Sequence, residues 1–277
     1  MMQSPRNEPA ALESEEEIRW GEYLLAIRLR LGIYGFLGVV AFMFYFREGV
    51  SWPCVGAGFV ATMLISSIMV WNDYVDRVHD AKKGRTLASR DPRAFLLYVV
   101  LVWGLTLSGI GSVFVANRDA GWILIFLAVI GCLYGWFRTV PFLSGISVAL
   151  SFAGLVLLAS AFAPEVERDR VGLLFVCVMA MAYGRENLAD LEDVGIDQGY
   201  KATLPVMLGE GKARTLIRFC TLFSIGLACW ITPWAFVVVP FTVWVFLEMR
   251  NSELAFGKIQ KIYDVQSVGF MLLLPWI

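Results

Sequence analysis

The sequence predicts an all-α polytopic membrane protein of eight or nine transmembrane helices. Three observations carry that prediction. The 277 residues are 58% hydrophobic and only 17% charged, with a mean hydropathy of +0.67, whereas soluble globular chains run near half apolar and a quarter charged. The apolar residues gather in uncharged blocks of about 20, the length that crosses ~30 Å of hydrocarbon at ~1.5 Å per residue. The basic residues are distributed unequally between alternate loops, as the positive-inside rule requires. A water-soluble two-domain enzyme, a disordered chain, a collagen and a coiled coil are all excluded. With 23 basic and 24 acidic residues the net charge is −1, so no global field points to a nucleic-acid partner.

The elements follow in order. Residues 1–22 form a polar tail rich in glutamate (Glu8, Glu13, Glu15, Glu16, Glu17 and Glu22). They lack the basic start of a signal peptide. The membrane domain is expected over 23–277. Tyr23–Phe46 is apolar except for Arg28 and Arg30, which must face a cavity or snorkel to the interface. Val50–Trp71, Ala94–Ala116, Gly121–Phe137, Ser144–Ala163 and Val171–Gly184 carry no charge, and the last can continue through Glu186 toward Asp190. Phe219–Leu247, with Lys212–Arg218 in front, reads as two helices joined by a turn at Thr232–Pro233. Tyr263–Ile277 is a short candidate for a final helix. With the N-terminus inside, the outer loops hold Arg47, Arg118, Arg168 and Arg170. The rest of the 23 basic residues fall on or near the cytoplasmic side. The expected location is a bacterial inner membrane.

Cysteine and histidine offer little chemistry. Cys54, Cys132, Cys177, Cys220 and Cys229 form no CxxC pair and read as structural. His79 is the single histidine, which excludes a multi-histidine zinc site, and it reads as a solvated loop position. Gly131 and Gly135, spaced GxxxG, point to close helix packing.

The chemistry lies in two acidic clusters. Asn72-Asp73-Tyr74-Val75-Asp76-Arg77-Val78-His79-Asp80 ends the second span, and Asp190-Leu191-Glu192-Asp193-Val194-Gly195-Ile196-Asp197 follows the sixth. Both read DxxDxxxD. Positions i, i+3 and i+7 share one helix face, so each cluster is expected to stack three carboxylates in a row. Such a row repels itself. Bound Mg²⁺ would compensate it, because hard cations take carboxylate oxygens and bridge to substrate phosphates. Four spans separate the clusters, which puts both on the cytoplasmic side and able to face each other across one cavity.

These residues resemble the UbiA superfamily of intramembrane prenyltransferases. Asn72 to Asp80 matches its first motif, NDxxDxxxD. Asp190 to Asp197, followed by Lys201-Ala202-Thr203-Leu204-Pro205, resembles its second motif with the trailing KxTLP. The resemblance implies a helical bundle around a central cavity open toward lipid, with a cytoplasmic-side cap. It implies Mg²⁺-dependent transfer of an isoprenyl group from a polyprenyl diphosphate to a hydrophobic acceptor, with release of diphosphate. Metal ligands carry over to Asp73, Asp76, Asp80, Asp190, Asp193 and Asp197, of which Asp76, Asp80, Asp193 and Asp197 are expected to be catalytic.

The resemblance also places Asn72 among the diphosphate ligands. The family's YxxxK pair matches Tyr134 and Arg138, where arginine keeps the charge and can grip diphosphate in bidentate fashion. Tyr134 has a second reading, as an interfacial belt aromatic. Lys201, Arg85 and Arg28 are further expected diphosphate-binding bases, with Arg77 and Lys83 as weaker ones. The chain departs from the family's NRPxPSG stretch, which here reads Gly84-Arg85-Thr86-Leu87-Ala88-Ser89-Arg90. It also lacks a proline after the first-span arginines. Both departures bear on the acceptor more than on the metal. No obligate protein partner is expected. The alternatives are a terpene cyclase on the same scaffold, phosphoribosyl transfer to a polyprenyl phosphate, and a cation-coupled transporter. Transporter sites tend to lie at the midplane, whereas these carboxylates sit at helix ends.

Overall fold

The computed structural model describes residues 20–26, 28–46, 51–82, 84, 87–137, 139–140, 142–249 and 256–274. The first helices are α1 (Trp20–Ala26), α2 (Leu29–Tyr45), α3 (Trp52–Val75), α4 (Arg77–Ala81) and α5 (Leu87–Arg90). Next come α6 (Pro92–Ala116), α7 (Arg118–Phe137), α8 (Leu143–Ser160), α9 (Arg168–Glu192) and α10 (Val194–Asp197). The chain ends with α11 (Leu204–Leu208), α12 (Glu210–Ile231), a 3₁₀ segment at Pro233–Val238, α13 (Val239–Glu248) and α14 (Phe256–Leu273). Among the described residues, α3, α6, α7, α8, α9 and α12 are long and apolar enough to cross a bilayer. Gly32–Tyr45 and Pro233–Glu248 are shorter apolar helices. The protein is an integral multi-pass membrane protein.

Local chemistry sets the helix ends. Ser51 caps α3 by accepting from the Cys54 amide, and Pro53 occupies its first turn. The Asp91 carboxylate caps α6 by accepting from the Ala94 amide at 3.0 Å, ahead of Pro92. Both satisfy amides that have no partner within the helix. Asn117 ties α7 to the end of α8. Its Oδ1 accepts from the Ala120 amide at 3.0 Å, and its Nδ2 donates to the Ala161 carbonyl at 2.8 Å. The turn expected at Thr232–Pro233 is present, with Thr232 Oγ1 accepting from the Trp234 amide at 3.2 Å.

The helices α2, α3, α7, α8 and α9 form the centre of the bundle. Helix α9 packs between α8 and α12, α3 packs between α2 and α6, and α14 closes onto α9 and α2. Small residues allow close approach, the usual basis of helix association in lipid. A Cβ at Gly131 would lie 2.2 Å from Ile68 Cδ1, and one at Gly154 would lie 2.4 Å from Leu127 Cδ2. Helix α6 presents Leu97, Val100, Leu101 and Leu105 outward, a face suited to lipid and not to water.

Two expectations need correction. The block Tyr23–Phe46 is not one helix. Arg28 separates α1 from α2 in the left-handed region, at φ 48° and ψ 47°, a conformation that costs a non-glycine residue about 1–2 kcal/mol. The aspartate rows are not continuous either. Helix α3 stops at Asp76 (φ −88°, ψ 0°), and α9 stops at Asp193 (φ −90°, ψ 1°). Each motif turns at its middle carboxylate and resumes as a short helix. A helix C-terminus already carries partial negative charge, so stacked carboxylates there favour leaving the helix over extending it.

Candidate active site

A cavity of about 440 Å³ opens between α2, α3, α7, α8, α9 and α14. The first acidic cluster approaches it from the α3–α4 turn and the second from the α9–α10 turn. Arg28, Asn72, Asp73, Asp76, Asp80, Tyr134, Asp190, Asp193 and Lys201 all reach its wall. Residues of both clusters therefore line one cavity. Arg85, Arg138 and Lys83 lie outside the described residues, as do residues 1–19 of the tail.

Charge dominates the polar end. Among the described residues, eight carboxylate side chains line the cavity against three cationic ones, Arg28, Arg185 and Lys201. Arg28 Nη2 holds Asp73 Oδ1 at 2.6 Å. Arg185 Nε lies 3.5 Å from Asp264 Oδ1. Asn72 Oδ1 is a buried acceptor with no hydrogen-bond partner among the described residues. Arg77 turns away from the site, with its guanidinium 4.7 Å over the Tyr74 ring and Nη1 donating to the Tyr74 carbonyl.

The opposite end is apolar. A recess of about 50 Å³ between α3, α7 and α8 shares Met69, Tyr134, Val148 and Phe152 with the main cavity, and Ile65, Ile68 and Ile130 enclose it. Tyr134 stands at the junction and donates from its hydroxyl to Glu186 Oε1 at 3.2 Å. Its ring faces the bundle interior, not a lipid headgroup belt.

Asp197 sits apart from the cavity wall. It has no exposed surface, and its two oxygens are engaged: His79 Nε2 lies 3.0 Å from Oδ1 and Lys201 Nζ lies 3.0 Å from Oδ2. His79 is itself 4% exposed, so the solvated loop position expected for it is corrected. Its ring stacks on Tyr200, with centroids 4.0 Å apart and planes 14° apart. The Tyr200 hydroxyl donates to Asp76 Oδ1 at 3.2 Å. These contacts join the two motifs directly.

Sequence reasoning missed several cavity residues. Glu186 lies one turn before Asp190 on the same helix face, so the acidic row could have been extended backward. Gln260 and Asp264 lie four residues apart on α14. An ionisable residue in a marginal span is itself a signal, and it was available at Asp264. Gln260 Nε2 donates to Glu192 Oε2 at 2.8 Å.

The donor set suits a hard divalent cation. Among the described residues, no three acidic, histidine or cysteine side chains converge into a ready-made metal site. Mg²⁺ does not require one, because it is bound through one or two carboxylates and completed by waters and substrate phosphates. Carboxylates on two facing walls and the buried Asn72 Oδ1, which has no partner among the described residues, fit that mode.

Comparison with known proteins agrees with this architecture. No curated protein matches the chain. A UbiA homologue from Archaeoglobus fulgidus bound to DMAPP and Mg²⁺ superposes with a TM-score of 0.68 at 14% identity, over 92% of this chain and 99% of that one. A UbiA homologue from Aeropyrum pernix K1 gives 0.65 at 12% identity, over 89% and 96%. A structure from work on digeranylgeranylglyceryl phosphate synthase in membranes gives 0.66 at 18%, over 93% and 99%. At these identities the superpositions speak to the fold. The family model for UbiA prenyltransferases matches residues 35–253, and the chain belongs to that family.

Proposed function

We infer that the protein transfers an isoprenyl group from a polyprenyl diphosphate to a hydrophobic acceptor within the membrane, in an Mg²⁺-dependent reaction that releases diphosphate. The observation that carries this reading is the two-ended cavity, with both acidic clusters at one end and an apolar recess at the other. An amphiphile with an anionic head and an isoprenoid tail matches both ends. Homologues from Archaeoglobus fulgidus bound to DMAPP and Mg²⁺ and to GPP and Mg²⁺ support the substrate class.

Carboxylates repel a diphosphate, so binding needs a bridging cation. Mg²⁺ held at this site would supply positive charge to stabilise a departing diphosphate. Asp73, Asp76 and Asp80 from one wall and Asp190 and Asp193 from the other would hold it, with Asn72 offering a neutral oxygen. Lys201 and Arg28 face the same region and would offset head-group charge. The allylic C–O bond breaks with its electron pair leaving on diphosphate. The acceptor nucleophile then bonds to the allylic carbon and gives up a proton. Val148, Phe152, Val178 and Met181 wall the cavity with apolar surface and keep water from the cation. The excess of basic residues in the loops on that side supports a cytoplasmic position for the acidic end.

The test is diphosphate release from dimethylallyl, geranyl, farnesyl and geranylgeranyl diphosphates by the purified protein in lipid. It is run with Mg²⁺ or EDTA, each with and without lipid-extract acceptors. Release that needs both Mg²⁺ and acceptor is expected. Release without acceptor would replace transfer by cyclisation, and no release from any chain length would refute the reading.

A further inference from the structure

The third aspartate of the second motif does not reach the cavity, and the only histidine of the chain explains where it goes. Asp197 and His79 are buried together, at 0% and 4% exposure and 3.0 Å apart. Lys201 Nζ holds the other Asp197 oxygen at 3.0 Å, and a carboxylate oxygen facing a ring nitrogen accepts, so His79 Nε2–H is the donor. The imidazole is thereby fixed in plane, and Tyr200 lies flat against it. Tyr200 then donates its hydroxyl to Asp76 Oδ1, and Asp76 lines the cavity. The path runs from the second motif to the first and ends on a cavity carboxylate.

We propose that His79 is a positioning residue: with Asp197 and Tyr200 it forms a clamp that joins the two acidic turns and orients Asp76 for the cation that binds diphosphate. This rests on the reading of the site given above. Helices α3 and α9 end at Asp76 and Asp193, so no continuing helix packs around these side chains and contacts from the facing motif orient them. Bonds to groups that orient metal ligands matter nearly as much as the ligands, and losing one typically costs about 10–100-fold in metal affinity. Asp197 acts here through the protein, as the anchor of His79, and not through a cation.

The test compares His79→Leu, which keeps bulk and removes the donor, with His79→Gln, which restores an N–H. Tyr200→Phe removes only the hydroxyl. Binding of inorganic diphosphate is titrated with Mg²⁺ by calorimetry in detergent, beside the unfolding midpoint of the cation-free protein. His79→Leu is expected to raise the Mg²⁺ concentration for half-saturation about tenfold or more, and His79→Gln to return it to within about threefold. Tyr200→Phe is expected to weaken binding, with little further loss in the His79→Leu/Tyr200→Phe double variant. If His79→Leu does not fold, the Tyr200→Phe titration and the Gln variant decide alone. Wild-type-like Mg²⁺ dependence in His79→Leu or Tyr200→Phe, additive losses, or failure of Gln to rescue would each overturn the clamp. Wild-type protein that binds no diphosphate in Mg²⁺ overturns the reading of the site and the clamp with it.

Discussion

Replacing Asp76 by Asn should move stability and activity in opposite directions. Asp76 is 8% exposed and lines a cavity in which, among the described residues, carboxylates outnumber cations eight to three. Asparagine has the same shape, and its Oδ1 can still accept the Tyr200 hydroxyl that Asp76 accepts at 3.2 Å. What the substitution removes is one negative charge among several. The repulsion relieved lies between two limits. A like-charge pair on a solvated helix surface costs about 0.2–0.5 kcal/mol. Two charges about 6 Å apart at an effective dielectric constant of about 20 cost about 2.8 kcal/mol. The cation-free variant should therefore unfold at the same temperature as wild type or a few degrees above it. With a cation bound the sign reverses, because that charge is the reason the carboxylate is there. Turnover should fall at least about 100-fold, or about 2.7 kcal/mol in the barrier. The assay is a thermal melt in detergent with EDTA, set beside diphosphate release in Mg²⁺. Near-normal turnover would refute the role of Asp76. Lost turnover with a markedly lower cation-free melting point would make Asp76 a structural residue and refute the charge argument.

Two further outcomes follow from individual contacts. Arg28→Met should raise the KM for the prenyl diphosphate about tenfold while leaving kcat within about threefold. It removes a cavity cation but none of the carboxylates, although Asp73 loses its 2.6 Å partner; a kcat loss exceeding the KM rise would reject this. Gly131→Ala should lower the unfolding midpoint by the equivalent of about 1–3 kcal/mol. The new methyl meets Ile68 Cδ1, Cγ1 and Cγ2 at 2.2, 2.4 and 3.1 Å, and a β-branched side chain has few rotamers by which to escape. Ile68→Val, which removes the Cδ1 methyl, should recover part of the midpoint in that background, and no loss in the single variant would refute the close α3–α7 contact at Gly131.

The bundle was legible because membrane helices write themselves into composition. Uncharged blocks mark α3, α6, α7, α8 and α9, the last with its extension through Glu186 into Asp190, and Lys212–Arg218 with the apolar block after it marks α12. What stayed hidden depended on single residues or distant pairs. No pattern announces that Arg28 takes a left-handed conformation, since the residues around it read as one apolar block. Helix α14 begins earlier than the expected Tyr263–Ile277, a start set by Gln260 and Lys261 breaking the apolar run; Gln260 lines the cavity. His79 read as a loop residue because its neighbours in sequence are charged, and its partner Asp197 lies 118 positions away. Spacing identified the two acidic clusters and the cavity they share. It could not show that each row bends at its middle member, because the turn is decided by charge at the helix end, which residue spacing does not record.

That bend explains how two motifs of identical spacing do different work. In both, the amide of the third aspartate donates to the carbonyl of the middle one, at 2.8 Å for Asp80 and 2.9 Å for Asp197. The backbones after the turns are therefore near copies. Yet Asp80 lines the cavity, while Asp197 is sealed inside the protein. The sequences differ at the residue before it, His79 in the first motif and Ile196 in the second. A buried imidazole needs a partner for its N–H, and leaving it unmet would cost about 1–3 kcal/mol; the carboxylate of the facing motif meets that need. Lys201, one turn after Asp197, neutralises the charge that this draws inward. A symmetric arrangement would crowd six carboxylates around one head group. The histidine removes one of them from the cavity and converts it into the tie that sets the distance between the other two groups.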